Sequence, residues 1–242
     1  MYRAEIDARE LVKKFTDLER AGLARAALRA LNFSAFDVRQ EWLKIIPTVF
    51  DRPVPLTQRA PLYKKATIEK LVAEVFIRDD ATKGTPPAQY LLPQVVGGPR
   101  AQKRSERSLN RVGLPPYFVP GKGARLDRYG NIPGGTITAI LSDLRAHVDP
   151  HSRSNEASRA RRRRRGKSTY FALREPRGNL KPGVVYERVG SAFGSGVRSV
   201  LFGVNRAPTY FPRYDVFALT ESIFHDLFEF KFRQELSRLV RA

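Results

Sequence analysis

The sequence predicts an α+β fold: long N-terminal and C-terminal helices packed on an antiparallel sheet, with a long Pro/Gly/Arg-rich extended insertion. Three observations predict it. Apolar residues recur in steps of three and four near both ends, the period of an amphipathic helix. Shorter segments, two early and three late, alternate or run apolar between turn residues, as strands do. Between these groups, from Gly84 to Arg145, periodicity fades and proline, glycine, arginine and aromatic residues take over. Helices at the ends and strands grouped inside them point to α+β and not to alternating βα units.

The first element is a helix over residues 8–46. Leu11, Phe15 and Leu18 start one register, and Gly22 marks a break or kink, because glycine costs about 1 kcal/mol against alanine inside a helix. The stripe Ala24, Ala27, Leu28, Leu31, Ala35, Val38, Trp42, Ile45 follows, and Pro47 stops or kinks the helix near its end. A proline-broken connector (51–61) leads to strands at 62–67 and 71–78, joined by a loop at Ile68–Lys70. In the second strand Leu71, Ala73, Val75 and Ile77 share one face.

The stretch 84–145 is expensive to order, and so long a connection is normally functional or disordered. Its apolar and aromatic anchors, Tyr90, Leu91, Leu92, Tyr117 and Phe118 among them, argue for an ordered, extended segment lying against its own domain or a neighbouring subunit. A short helix is expected at 136–145. Residues 147–168 are polar and arginine-rich, and like-charge blocks of this kind usually stay solvated. Strands at 169–174, 183–189 and 197–204, separated by the turn chemistry of EPRGNLKP and GSAFGSG, make an antiparallel meander. The last helix, 214–240, carries an aromatic stripe through Phe217, Phe224, Phe228 and Phe232. The expected organisation is one α+β domain, 1–242, with an arm at 84–168 and an arginine-rich loop at 153–167.

At 242 residues and 42% hydrophobic the chain can bury a sizeable core. It has no cysteine, which excludes disulfides and thiolate metal sites. No apolar run reaches 18 residues, so no membrane helix is expected, and MYRAEIDARELVKKF lacks the apolar region of a signal peptide. The net charge is +20, and residues 97–181 hold 20 Lys/Arg against 6 Asp/Glu, so most of the excess lies in the middle of the chain. An excess of this size points to a polyanionic partner.

Several motifs fall short of chemistry. Gly166-Lys167-Ser168-Thr169 matches the end of a phosphate-binding loop, but Arg161 stands where the loop's first glycine is required. Gly194-Ser195-Gly196 lies between two strands, not between a strand and a helix, and reads as a turn. His147 and His151 are separated by Pro150 with no acidic pattern to complete a zinc site, and His225 stands alone. Asp127 reads as part of a structural turn with Gly130-Asn131, paired with Arg125 or Arg128. No catalytic residues, metal site or cofactor are therefore assigned.

The run Arg159, Arg161, Arg162, Arg163, Arg164, Arg165 and Lys167 is the strongest chemical signal. Three readings stand: contact with nucleic-acid phosphates, which would be sequence-independent and salt-sensitive; a solvated loop; or pairing with an acidic neighbour. No recognition-helix or zinc-finger signature accompanies it.

The layout also carries a resemblance. ARAALRALNFSAFDVRQEWLKII leads to the basic hairpin LTQRAPLYKKATIEKLVAEVFI, and NRAPTYFPRYDVFAL leads from the meander into the aromatic last helix. Over residues 20–78 and 183–242 this resembles tailed-bacteriophage neck and tail-completion proteins, in particular the minor tail protein Z group. The resemblance implies a non-enzymatic virion protein of the head–tail junction, made in the host cytoplasm. It implies a homo-oligomeric ring around the DNA channel that joins connector or portal-side proteins to the tail tube, with no membrane partner. Tyr90, Leu91, Leu92, Tyr117 and Phe118 would then serve subunit packing. The alternative is a non-sequence-specific DNA-binding protein acting in packaging or regulation. A metal-dependent hydrolase or nuclease would need a carboxylate cluster that the sequence does not offer.

Overall fold

A computed structural model describes residues 3–7, 17–82, 84–165, 169–191 and 194–241. The chain is α+β, and it divides into two compact units: residues 1–98 with 210–242, and residues 99–209.

The first unit is built on a three-stranded antiparallel sheet. Its strands are β1 (Arg3–Asp7), β2 (Pro61–Lys64) and β3 (Val72–Ile77), in the order β1-β3-β2. β1 is an addition to the sequence reading, although Arg-Ala-Glu-Ile-Asp alternates with the strand period. It pairs Arg3 with Phe76 through Asp7 with Val72. β3 is paired on both edges and is largely buried on both faces. Ala73, Val75 and Ile77 are fully buried as the alternation predicts, and Val72 and Glu74 on the opposite face are buried too. Helix α1 (Asp17–Val49) passes through Gly22 without a break and takes Pro47 into its last turn. Leu11, Phe15 and the rest of 8–16 lie outside the described residues. The stripe Ala27, Leu31, Ala35, Val38, Trp42 is fully buried, with Ile46 and not Ile45 as its deepest last member. A single turn, α2 (Pro55–Gln58), precedes β2, and α3 (Pro87–Val95) adds Leu91 and Val95 to the core.

Helix α7 (Val216–Arg241) starts at Asp215, whose carboxylate accepts from the Phe217 and Ala218 amides at 3.2 and 3.0 Å, an N-cap. It runs antiparallel to α1. Trp42 Nε1 donates to Thr220 Oγ1 at 3.0 Å, and about four turns away, in opposite senses along the two helices, Arg29 Nη1 reaches the buried Glu235 at 3.1 Å. Phe224, Phe228 and Phe232 stack along the helix, with ring centroids 5.3 and 5.7 Å apart, and pack against the α1–sheet core. The two long helices and the early hairpin are thus one layered core. Asn32 of α1 fixes the hairpin loop to it by bonding both the amide and the carbonyl of Ala66.

The chain leaves this unit at β4 (Gly98–Pro99) and returns at β9 (Thr209–Tyr210). Between them lies a second fold, where a single domain with an extended arm was expected. It contains α4 (Arg104–Asn110), β5 (Tyr117–Pro120), α5 (Gly134–Asp143), a 3-10 turn (Pro150–Ser152) and α6 (Glu156–Arg164). It continues through β6 (Thr169–Ala172), β7 (Val184–Ser191) and β8 (Gly194–Val204). The late meander forms as predicted, with β5 added on the far side: the antiparallel order is β5-β8-β7-β6. The described residues of the glycine segment read as a spacer, 190–191 and 194–196, are strand, since Gly190 pairs with Ser195 and Ser191 with Gly194. One face of this sheet, through Phe118, Val185 and Leu201, packs on Leu109 of α4 and on Ile140 and Leu141 of α5. The prolines and glycines of 99–145 therefore punctuate short elements around a second core, while 84–98 belongs to the first unit. An arm long in sequence became a domain because its scattered apolar residues meet the meander, a long-range pairing that no local period announces.

Candidate nucleic-acid interface

Residues 99–209 contain 23 Lys/Arg and 7 Asp/Glu, a net of +16, which leaves +4 for the rest of the chain. The basic character belongs to the second unit.

Within it, the expected arginine-rich loop 153–167 is largely helix. Asn155 accepts from the Ser158 amide at 2.8 Å and caps α6, Glu156 sits in the first turn where the helix dipole favours a carboxylate, and alanine and arginine are good helix formers. A helix this polar needs an external tether, and Asp143 at the end of α5 supplies it. The Asp143 side chain is fully buried and forms an ion pair with Arg162. Its carboxylate also accepts from Ser154 Oγ at 2.8 Å and from the Tyr170 amide at 3.0 Å, while its carbonyl accepts from Arg159 Nη1 at 3.3 Å. One carboxylate thus joins α5, α6 and β6.

This divides the arginine run. Arg159 and Arg162 are half-buried and tied to Asp143. Arg161, Arg164 and Arg165 are exposed, and among the described residues none of the three has an acidic partner. The backbone of Arg163 lies in α6. Lys167 falls outside the described residues, as do Gly166 and Ser168. Thr169 begins a strand, so no helix follows the partial phosphate-loop motif.

On the opposite face of the sheet from Tyr170, cross-strand pairing sets Thr169 beside Arg188 and Phe171 beside Tyr186. The Arg188 guanidinium lies 5.4 Å above the Phe171 ring. Glu156, Arg159, Thr169, Tyr170, Phe171 and Arg188 line a cleft of about 180 Å³. Sequence reasoning missed Arg188 and Thr169. The alternation in GVVYERV could have placed Arg188 on an outward face, but its partner strand could not be read. A second, broad depression of about 970 Å³ lies among Asn110, Arg111, Pro115, Pro116, Arg174 and Asn205.

The residues expected to serve subunit packing separate. Leu91 is 3% exposed in the first core and Phe118 is 6% exposed in the second, so both are spent within the chain. The Tyr90 hydroxyl bonds Thr57 at 2.8 Å and its ring is partly exposed. Leu92 is half-buried, and Tyr117 is half-buried beneath Arg100, whose guanidinium lies 5.4 Å from the ring.

Arg100 belongs to a second buried network. Its Nη1 donates to Glu106 at 2.7 Å, and Glu106 also accepts from the Lys103 and Phe118 amides at 2.8 and 3.0 Å. Burial pushes the Glu106 carboxyl up, but the Arg100 guanidinium and the two amides outweigh it and hold the group below the ordinary glutamate value of 4.5. A depressed folded-state value means that this stabilisation is complete above about pH 4.5 and is lost as pH falls through the folded value. We expect the thermal midpoint of the wild type to fall on going from about pH 5 to about pH 3 more steeply than that of Glu106→Gln, measured in parallel scans.

Asp127 is a turn residue as expected, but its partners are amides and not arginines: Tyr129 and Asn131 N–H groups reach it at 2.9 Å. His147 contacts the Thr138 carbonyl, and His151 and His225 are exposed. Among the described residues no group of three His, Cys, Asp or Glu is placed to hold a metal. None of the described helices is long and apolar enough to cross a membrane.

Compared with family models, with curated proteins and with solved structures, the chain matches none.

Proposed function

We propose that this chain is a non-enzymatic structural protein of a tailed-bacteriophage virion. It acts at the head–tail junction in neck or tail completion, as a homo-oligomeric ring around the DNA channel joining connector to tail. One observation carries the reading. Of the segments that bear the resemblance, the α1–hairpin stretch and the aromatic α7 come together in a single folded unit, with Trp42 bonded to Thr220 and Arg29 to Glu235, while the strands of 183–204 belong to the second unit. That scaffold is joined to a separate unit of net +16, suited to facing phosphate. Phe211 and Phe230 are 88% and 62% exposed and offer apolar surface for neighbouring copies. Light scattering at moderate salt, followed by negative-stain imaging, should show closed rings. A strictly monomeric protein that is also missing from purified particles overturns the reading.

A second reading, a sequence-independent DNA-binding protein acting off the particle, is favoured by the exposed Arg161 and Arg164 on an anchored helix and Arg165 just after it. Both readings share contact with backbone phosphates. They part on whether the protein is built into the particle.

A further inference from the structure

The exposed arginines of α6 are not the most organised cationic feature of the second unit. The cleft beside them is. Arg159 enters it from α6 and Arg188 from β7, two elements both held to β6, the first through Asp143 and the second by strand pairing. Arg159 spends one guanidinium N–H on the Asp143 carbonyl, and a guanidinium has five to give. Arg188 is exposed, lies over Phe171, and has no acidic partner among the described residues. Thr169, the cross-strand neighbour of Arg188, lines the same cleft.

We infer that this cleft, lined by Arg159, Arg188, Thr169 and Glu156, is a seat for one phosphodiester group of a nucleic-acid backbone. The inference rests on the phosphate-contact reading above and gives that contact a place. Size supports it: about 180 Å³ is smaller than the roughly 300–1,000 Å³ pockets that enclose whole small molecules. Charge supports it as well. Two guanidiniums and the Glu156 carboxylate sum to a single positive charge, which matches the one negative charge of a diester phosphate. A monoester or free phosphate approaches two negative charges near neutral pH, and Glu156 would repel the second. Planar guanidinium forks from two directions suit a tetrahedral oxyanion better than ammonium groups would. The seat reads no base, so it adds affinity and register without sequence preference.

The test uses the full chain and random-sequence duplex DNA, with fluorescence anisotropy at a series of salt concentrations. Arg188→Gln and Arg159→Gln remove the charges one at a time, and thermal scans confirm that each variant folds. The expected result is a log–log salt slope smaller by about 1 for Arg188→Gln, the signature of one lost phosphate contact. Inorganic phosphate is expected to compete no better than chloride at equal ionic strength. An unchanged slope in a folded Arg188→Gln, while Arg161→Gln/Arg164→Gln weakens binding, overturns the seat but keeps the DNA reading. Strong competition by inorganic phosphate overturns the preference for a diester. Wild type that fails to bind duplex DNA at low salt removes the phosphate-contact reading itself.

Discussion

Replacing Trp42 by alanine should destabilise the first unit by about 3–5 kcal/mol, the range for emptying a fully buried aromatic site. Trp42 is completely buried at the centre of the α1 stripe. Its indole N–H donates to Thr220 of α7 at 3.0 Å, and its own carbonyl accepts from the Tyr214 hydroxyl at 3.2 Å. Burial pushes the Tyr214 hydroxyl far above its usual range, so it stays a donor at any pH the protein meets. The alanine variant keeps the Trp42 carbonyl and loses the ring, so the cost is mainly a cavity between α1 and α7 and not broken backbone pairing. Thr220 remains satisfied because its hydroxyl also donates to the Val216 carbonyl at 2.6 Å. Phenylalanine at position 42 refills much of the space and should recover more than half of the loss. Urea unfolding followed by circular dichroism measures both. An equal loss for Trp42→Phe and Trp42→Ala would mean that the indole hydrogen bond, and not the volume, holds the two helices together.

That core was legible because it is local in pattern. The period of Ala27, Leu31, Ala35, Val38, Trp42 fixes a helix face, and the alternation of Ala73, Val75, Ile77 fixes a strand face, without knowledge of any partner. The second unit was not legible for the opposite reason. Phe118, Ile140, Leu141, Val185 and Leu201 are spread over 84 positions and lie in four separate elements, so no window of sequence contains enough of them to show a period. The arginine run misled in a related way. Its charge suggests solvation, and local charge repulsion does favour that, but a single buried carboxylate at Asp143 in a different element outweighs it. The candidate site was therefore half visible. The exposed arginines were found from composition, while Arg188 and Thr169 became neighbours only through the β6–β7 register.

Asp143 separates two accounts of how the basic unit would hold DNA. Asp143→Asn removes a buried negative charge, so the net charge of the chain rises from +20 to +21. If affinity followed charge alone, the variant would bind duplex DNA more tightly. If affinity depends on α6 being held in place, the variant should bind more weakly, because Arg162 loses its ion pair and Ser154 Oγ or the Tyr170 amide loses a charged acceptor. Breaking a buried pair by removing one partner typically costs about 3–5 kcal/mol. Against the roughly 5–15 kcal/mol that keep a domain folded, the second unit should survive at low temperature with a lowered midpoint and with α6 released. Arg159, bonded to the Asp143 carbonyl, would lose the helix that aims it into the cleft even though that carbonyl remains. We therefore expect weaker duplex binding by Asp143→Asn, a smaller salt slope, and new proteolytic cleavage between residues 153 and 165. Tighter binding with unchanged proteolysis would show that the arginines act as a diffuse charge, for which helix placement is irrelevant.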